Sequence, residues 1–280
     1  MAFGSSEISK VVDRIPREYV IAGLTFIFIP LCFYLDVGSD RIFQNTLGVG
    51  AWLCLFVLLS EEDQHVRIQV GVAIAIATLG EHFASIYMQG YIYRLRNVPA
   101  FVPPGHGLVY LTAVVLARSN PFVRYEGSIA RIVLLLGAVW SIWGLLFAAR
   151  DDRIGFLLFL IFTACLFNGP SARVYLGAFF ITSWLELVGT FLGTWIWVPI
   201  DPASGLAQGN PPSGVAAWYC LVDAVAIAGA PVVTGWIDNI CDHFRRAPAA
   251  KAGRNADILA SLYLYRSHAM TPVIALMLFL

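Results

Sequence analysis

The apolar residues of this chain come in long runs separated by short polar segments, a pattern that predicts membrane-spanning helices. A helix that crosses the hydrocarbon core of a bilayer needs about 20 mostly apolar residues. The runs fall at residues 19–36, 45–60, 68–90, 106–118, 129–149, 153–169, 174–198 and 214–237. We therefore predict an all-α integral membrane protein, a polytopic helical bundle of about eight transmembrane helices.

The two ends of the chain differ from these runs. Residues 1–18 place apolar and charged side chains on opposite sides of a short helix, which predicts an amphipathic segment lying in the membrane interface. Residues 238–280 are predicted to be a cytoplasmic or interfacial tail. The last apolar run begins at Met270 and is too short to span alone, so a further membrane helix there stays an open alternative.

The composition narrows the class of protein. Only 13% of the residues are charged and 59% are hydrophobic, whereas soluble domains carry about 25% charged residues. These values exclude a soluble globule, a disordered tail protein and a nucleic-acid binder. The equal numbers of basic and acidic residues, 18 of each, also argue against a polyanionic partner. The expected partners are membrane lipids and a lipophilic small molecule, with no nucleic acid and an open oligomeric state.

The basic residues are unevenly divided between the two sides of the predicted bundle. If the N-terminus is cytoplasmic, five of the 18 Lys and Arg residues lie on the outer side: Arg41, Arg94, Arg96, Arg150 and Arg153. The remaining thirteen lie on the inner side, where Lys and Arg normally concentrate. The sequence therefore predicts a multi-pass plasma-membrane protein with a cytoplasmic N-terminus.

The third and seventh apolar runs resemble each other. Each contains one glutamate, followed about ten residues later by an aromatic-Ile-aromatic triplet and then by a Pro-rich segment. The first set is Glu81, Tyr91-Ile92-Tyr93 and residues 98–107; the second is Glu186, Trp195-Ile196-Trp197 and residues 209–214. The alternative interpretation is an interfacial aromatic belt followed by ordinary turns.

The spacing of these two sets indicates how the halves are related. Four predicted spans separate the matching features, and an even number of spans makes two repeats parallel, related by an axis along the membrane normal. We therefore predict two parallel four-helix repeats, residues 19–118 and 129–237, with both Pro-rich segments on the non-cytoplasmic face.

Three acidic residues lie within apolar runs and are the main candidates for chemistry: Glu81, Glu186 and Asp223. A carboxylate at such a position costs roughly 2.5–3.5 kcal/mol on insertion scales and usually faces the bundle interior. If the two glutamates line one apolar cavity, a neutral carboxylic acid could protonate an alkene while an ionised partner accepts a proton. The alternative is a structural hydrogen bond between helices.

Other polar and aromatic residues complete the candidate site. His106, in a Pro-Pro-Gly-His-Gly turn, is a candidate acid/base group, with ligand and simple turn residue as alternatives. His82 follows Glu81 but points about 100° away around the helix. The substrate-binding candidates are His82, Tyr87, Tyr91, Tyr93, Trp195, Trp197 and Asn210. The aromatic faces of the tyrosines and tryptophans could stabilise a carbocation, or these residues could belong to an interfacial belt. Asn210 could instead be a cap or turn residue.

The sequence contains no pattern typical of a metal or cofactor site. His and Glu do not recur at the spacings that metal sites use, so neither a metal nor a cofactor is predicted. A metal held by Glu81, Glu186, His106 and Asp223 would require the fold to gather them. The only lysines, Lys10 and Lys251, lie outside the predicted spans, which excludes a retinal Schiff base.

At these residues the chain resembles the carotenoid hydratase family of integral membrane proteins, in which a Glu precedes a Gly-x-Tyr-x-Tyr stretch and a Val-Pro-rich segment. The matching residues are Glu81, Gly90-Tyr91-Ile92-Tyr93 and Val98-Pro99 through Pro103, with a degenerate second copy at Glu186, Gly193 and Trp195-Ile196-Trp197. The resemblance covers about 50 of the 280 residues, and the Pro-Pro-Gly-His-Gly and Gly-Asn-Pro-Pro-Ser-Gly segments depart from it. It implies addition of water to a polyprenyl or carotenoid double bond without a redox cofactor.

Three classes of function stay open from the sequence. The first is a membrane enzyme that hydrates, isomerises or cyclises an isoprenoid or other lipid alkene by carboxylate acid/base chemistry. The second is a proton- or ion-coupled transporter or lipid-binding carrier that uses the same acids. The third is a non-catalytic subunit of a membrane complex.

Overall fold

The computed structural model describes residues 16–246 as a bundle of helices with one short two-stranded ribbon. The helices are α1 (Arg17–Asp36), α2 (Arg41–Leu59), α3 (Gln64–Glu81, continued by the π-helical turn His82–Tyr87), α4 (Val102–Arg118), α5 (Asn120–Arg124), α6 (Glu126–Leu146), α7 (Arg153–Asn168), α8 (Ala172–Phe191) and α9 (Ala216–Arg246). The strands are β1 (Tyr91–Tyr93) and β2 (Trp195–Trp197). Most of the predicted interfacial segment at 1–18 and of the tail at 238–280 falls outside the described residues.

Six of the described helices are long and apolar enough to cross a bilayer: α1, α2, α3 with its π-helical turn, α6, α8 and residues 216–242 of α9. This agrees with the prediction of a helical membrane protein. The other two long helices, α4 and α7, have 17 and 16 residues and are shorter than the usual span. Residues 16–246 thus supply six candidate spans where the apolar runs predicted about eight.

Aspartates begin three of the helices. The side chains of Asp40, Asp63 and Asp152 accept hydrogen bonds from the backbone N–H groups of Phe43, Val66 and Gly155, respectively. A side-chain oxygen at this position satisfies one of the N–H groups that have no partner within the helix. The polar residues between the apolar runs therefore fix where α2, α3 and α7 start.

The shorter helix α4 lies at the centre of the bundle. It packs against α1, α2, α3 and α8, and most of its side chains are buried. The backbones of α4 and α8 approach closely at Gly177, where an added Cβ atom would lie 2.7 Å from the carbonyl oxygen of Ala113. Small residues allow this kind of contact between membrane helices, so α4 is placed to carry side chains into the interior.

The aromatic triplets form strands rather than the ends of helices. Strand β1 pairs with β2 in antiparallel register, with Tyr91 opposite Trp197 and Tyr93 opposite Trp195. The predicted span at 174–198 was therefore too long, because α8 ends at Phe191 and the chain turns at Gly193, whose φ is +71°. The pairing brings the ends of α3 and α8 to the same end of the bundle.

Candidate functional site

A cavity of about 330 Å³ lies beside the ribbon, enclosed by residues of α1, α3, α4, α8, α9 and both strands. Its wall is largely apolar and aromatic. Seven of the predicted site residues line it: Glu81, Tyr91, Tyr93, His106, Glu186, Trp195 and Trp197. Enclosed apolar pockets with a few convergent polar groups are the usual form of a small-molecule site, so this cavity is the candidate active site.

Glu81 is held by three side chains that come from two different elements. Its Oε2 accepts hydrogen bonds from the hydroxyls of Tyr91 at 2.5 Å and Tyr93 at 2.7 Å. Its Oε1 lies 2.9 Å from Nε2 of His106. An ionised carboxylate can only accept, so in that state the His106 Nε2 carries the hydrogen. Glu81 is therefore surrounded by donors that stabilise its negative charge.

Local structure explains why these donors converge. Tyr91 and Tyr93 are two residues apart on a strand, so their side chains leave the same face. Both phenols remain protonated donors, because burial, reinforced by the charge of Glu81, raises the pKa of each well above its usual value. His106 lies in the first turns of α4, two residues after Pro104, and the prolines at 103 and 104 are well suited to a helix start.

Glu186 has a different set of partners. It is 5% exposed, and its Oε2 accepts hydrogen bonds from the indole Nε1 atoms of Trp195 at 3.0 Å and Trp197 at 3.2 Å. No described residue hydrogen-bonds its second oxygen, Oε1. Because both donors converge on one oxygen, the other is left to carry or exchange a proton within the cavity.

A glycine makes room for one of these indoles. An added Cβ at Gly189 would collide with the ring of Trp195, and Gly189 lies less than one turn after Glu186 on α8. The Gly189-x-x-x-Gly193 spacing therefore accommodates an aromatic ring and, through Gly193, the turn into β2, rather than a contact between two helices.

The ribbon joins the two glutamate sites into one aromatic wall. The ring centroids of Tyr91 and Trp197 lie 4.6 Å apart, and those of Tyr93 and Trp195 lie 6.0 Å apart. Each pair consists of one donor to Glu81 and one donor to Glu186. The two carboxylates are therefore connected through hydrogen bonds to rings that contact each other, for example from Glu81 through Tyr91 and Trp197 to Glu186.

Three predicted substrate-binding residues do not line the cavity. His82 is exposed and its Nδ1 lies 2.8 Å from the carbonyl oxygen of Thr78. Tyr87 is 79% exposed. Asn210 is also exposed, and its side-chain oxygen accepts a hydrogen bond from the backbone N–H of Trp197 at 3.0 Å. Asn210 therefore holds strand β2, which matches the turn or cap role that the sequence also allowed.

Asp223 is buried but is not part of the cavity wall. It lies on α9, 2% exposed, and its Oδ2 has no hydrogen-bond partner among the described residues. It is within electrostatic range of Tyr110, Tyr175 and Tyr219. The structure thus places Asp223 outside the set of residues that line the cavity with the two glutamates.

The cavity also contains residues that the sequence patterns did not single out. Tyr219 is one turn before Asp223 on α9, and its ring centroid lies 5.5 Å from that of His106. Phe33 of α1 packs edge-on against Trp195 at 5.2 Å. The available signal for Tyr219 was its position four residues before a buried acid, which places both on one helix face. Nothing in the local sequence marked Phe33.

Two charged residues, Arg150 and Asp152, hold the segment between β2 and α9 against the ribbon. The Arg150 guanidinium donates to the carbonyl oxygens of Trp197 and Gln208, and the Asp152 carboxylate accepts from the N–H groups of Gly209 and Ser213. Gln208 in turn donates to the carbonyl oxygen of Gly90 at 2.9 Å. These contacts fix β2, and with it the two indoles that bond Glu186.

Within residues 16–246, no group of three or more His, Cys, Asp or Glu side chains is arranged to hold a metal ion. In comparisons with known proteins, no family model, no curated protein and no solved structure matches the chain. The function must therefore be argued from the contacts of the cavity residues themselves.

Proposed function

We propose that this protein is an integral membrane enzyme that carries out acid/base chemistry on an isoprenoid or other lipid alkene, with Glu81 and Glu186 as its catalytic carboxylates. The reaction class is hydration, isomerisation or protonation-initiated cyclisation. The observation that supports it is the pair of glutamates in one aromatic cavity, each bonded to a different kind of donor.

Glu186 is proposed as the acid. Neutral indole donors surround one of its oxygens, and no described cation lies beside it, so the uncharged carboxylic acid suits this apolar position. The proton on Oε1 would be transferred to one carbon of the double bond. The electron pair of that bond forms the new C–H bond, and the positive charge develops on the other carbon.

Glu81 and His106 are proposed as the base. The three donors on Glu81 favour its ionised form. In hydration, a water oxygen adds to the cationic carbon while its proton passes to this pair; in isomerisation or cyclisation, the proton comes from a carbon next to the cation. Return of that proton to Glu186 restores the starting state, so no redox step is needed.

The aromatic wall would stabilise the intermediate. The faces of electron-rich rings attract cations within about 6 Å of their centroids, with a gain of about 2 kcal/mol or more where water is excluded. The rings of Tyr91, Tyr93, Trp195 and Trp197 lie between the two carboxylates along the ribbon. A short-lived carbocation formed there is thus close to four such faces.

The finer architecture is proposed on the same basis. The order of three helices, a strand and a helix occurs in α1–α4 with β1 and again in α6–α9 with β2. The pairing of β1 with β2 and the matched positions of Glu81 and Glu186 support two parallel repeats, with α4 and α7 as short additional spans. A cytoplasmic N-terminus in the plasma membrane, and kinship with carotenoid hydratases, belong to this proposal.

The first experiment identifies the substrate class and then removes each acid. Organic extraction of the purified protein, followed by an absorption spectrum and mass measurement, is expected to yield a bound polyene or polyprenyl compound. Conversion of that compound in membranes should fall about 10²–10⁴-fold in Glu81→Gln and in Glu186→Gln, the usual contribution of general acid/base catalysis.

The matched control is Glu61→Gln, because the Glu61 side chain is 75% exposed and lies outside the cavity. It should convert the compound at the wild-type rate. If both cavity variants fold and also keep the wild-type rate, the acid/base proposal is wrong.

A proton-coupled carrier is the second candidate, and Asp223 is the observation that favours it. A buried acid in a span, away from the cavity wall and without a described hydrogen-bond partner for Oδ2, is typical of proton relays. This candidate predicts uptake of the extracted compound into liposomes that depends on a proton gradient and is abolished by Asp223→Asn. Conversion without gradient-dependent uptake would exclude it.

A further inference from the structure

The cavity has exposed residues along only part of its wall. Among its described lining residues, Gly80, Phe83 and Trp218 are exposed, with Phe83 at 56% and Trp218 at 52%. All three belong to candidate membrane spans, residues 64–87 and 216–242. This exposed edge, which we call the side opening, therefore lies on two helices that are long and apolar enough to cross a bilayer.

The side opening has the chemistry expected for contact with lipid. Its three residues carry no charge, and it lies where α3 packs against α9. A Cβ atom added at Gly80 would meet no atom within 4 Å. The absence of a side chain at Gly80 thus leaves open space at this edge of the cavity wall.

The size of the cavity limits how much of a substrate it can enclose. Pockets that enclose a drug-sized molecule measure about 300–1,000 Å³, and this cavity, at about 330 Å³, is at the lower end of that range. A long polyprenyl or polyene chain is larger than such a molecule. Only one end of a long chain can therefore lie between the glutamates, and the rest must remain outside the cavity.

We propose that a membrane-dissolved isoprenoid enters sideways from the bilayer between Gly80 and Trp218, with one end group in the cavity and its tail left in the lipid. The end group reaches the aromatic wall beside Glu81 and Glu186, and the tail passes Phe83. The part of this inference that assigns a reacting end group rests on the proposed enzyme function; the route of entry rests on the side opening alone.

The experiment uses the full chain in phosphatidylcholine nanodiscs with a photoreactive analogue of geranylgeraniol as the probe. After illumination, mass spectrometry of peptides should locate the label on cavity residues such as Phe101 and Tyr219 in the wild-type protein. In Gly80→Trp, whose side chain fills the side opening, cavity labelling should fall at least tenfold. Phe83→Ala widens the opening and should increase the labelling rate severalfold.

Gly50→Trp is the matched control, because Gly50 is also an exposed helical glycine with no atom within 4 Å of an added Cβ, but it does not line the cavity. It should label like the wild type. Unchanged cavity labelling in both Gly80→Trp and Phe83→Ala would overturn the proposed route, as would equal losses in Gly80→Trp and Gly50→Trp.

The route and the chemistry can fail separately. If Glu81→Gln and Glu186→Gln keep full conversion while Gly80→Trp loses labelling, the side opening stands and the acid/base assignment is wrong. If Gly80→Trp keeps wild-type labelling while Glu81→Gln loses conversion, the acid/base assignment stands and the side opening is wrong.

Discussion

The two ends of helix α3 hold buried carboxylates in opposite ways. At the start of α3, Glu62 accepts hydrogen bonds from two arginines, with Arg118 bonded to both carboxylate oxygens at 2.7 and 2.8 Å and Arg17 to one of them. At the other end, Glu81 accepts only from two phenols and an imidazole, and Glu186 only from two indoles. The donors to Glu62 carry permanent positive charge, whereas the donors to Glu81 and Glu186 are neutral or titratable.

Under the proposed function, this difference in donors separates a structural carboxylate, Glu62, from two catalytic ones, Glu81 and Glu186. A guanidinium is protonated at every physiological pH, so it holds its partner carboxylate in the charged form. Phenols, indoles and imidazole stabilise a carboxylate without fixing its charge, so a proton can still be exchanged. Under the proposed function, Glu81 and Glu186 are therefore the carboxylates that exchange protons, and Glu62 is not.

The largest expected effect comes from giving the cavity a permanent cation. His106→Arg would place a guanidinium beside Glu81 and make the pair resemble Glu62 with Arg118. Turnover of the extracted polyene should fall about 10²–10⁴-fold, because the base is then held in an ion pair. Rates are measured in membranes with folded protein quantified by gel filtration; wild-type turnover would show that the kind of donor at Glu81 is unimportant.

The complementary change at the other end should affect stability and leave turnover unchanged. Glu62→Gln removes the buried carboxylate charge that pairs with both Arg17 and Arg118. The more exposed Glu61 and Glu18 each remain paired with one of the two arginines. Both arginine side chains are about a third exposed, so water compensates in part and the expected loss in the free energy of unfolding is about 2 kcal/mol. Denaturant titration in detergent measures the loss, with Glu61→Gln as the exposed neighbour for control. A large fall in turnover per folded molecule would contradict the comparison.

Acid should remove the contribution of Glu62 at a defined pH. Burial alone raises the pKa of Glu62, but its hydrogen bonds and charge interactions with Arg118 and Arg17 outweigh burial and hold the pKa below the usual value. The stabilisation is therefore fully present above the unfolded value of about 4.3 and is lost as the pH falls through the folded value. The stability difference between wild type and Glu62→Gln should be constant from about pH 7 to 5 and shrink below about pH 4; a difference that grows there would contradict this.

The sequence predicted a helical membrane protein because long apolar runs are the direct requirement for a helix that is surrounded by lipid. It placed the end of the seventh run too late, because the Trp195–Trp197 triplet is as apolar as a helix but pairs as a strand with Tyr91–Tyr93. Strand pairing is a contact between residues about 100 positions apart, which local periodicity cannot show.

The sequence predicted the candidate site residues where an acidic residue within an apolar run was part of a repeated pattern. Glu81 and Glu186 were identified because a carboxylate within an apolar run is energetically costly. The matched aromatic triplets contain the residues that donate hydrogen bonds to them. Asp223 was selected for the same reason, yet it does not line the cavity. The free-energy cost of an acid in an apolar run predicts that its side chain is buried, but it does not predict which part of the bundle interior the side chain occupies. Arg150 and Asp152 were missed because they act through backbone groups of a distant loop.

A smaller effect is expected from the phenols that hold Glu81. Tyr91→Phe and Tyr93→Phe each remove one hydrogen bond to Oε2 and leave the ring in place. Each should cost about 1–2 kcal/mol, expressed as a roughly tenfold change in turnover rather than as unfolding, because the remaining donors still hold the carboxylate. The double variant should exceed the sum of the two single changes; strict additivity would show that the two phenols act independently on Glu81.

The smallest expected effect tests whether burial alone gives a tyrosine hydroxyl a role in turnover or stability. Tyr110 is as buried as Tyr91, but its hydroxyl has no hydrogen-bond partner among the described residues. Tyr110→Phe therefore removes a group that gains nothing from the protein, and both turnover and the free energy of unfolding should change by less than about 0.5 kcal/mol. Tyr91→Phe is the matched comparison, since both changes delete one hydroxyl from a buried ring. An effect at Tyr110 as large as that at Tyr91 would mean that proton-bearing groups near Asp223 take part in the chemistry, and the division between the two ends of the bundle would have to be redrawn.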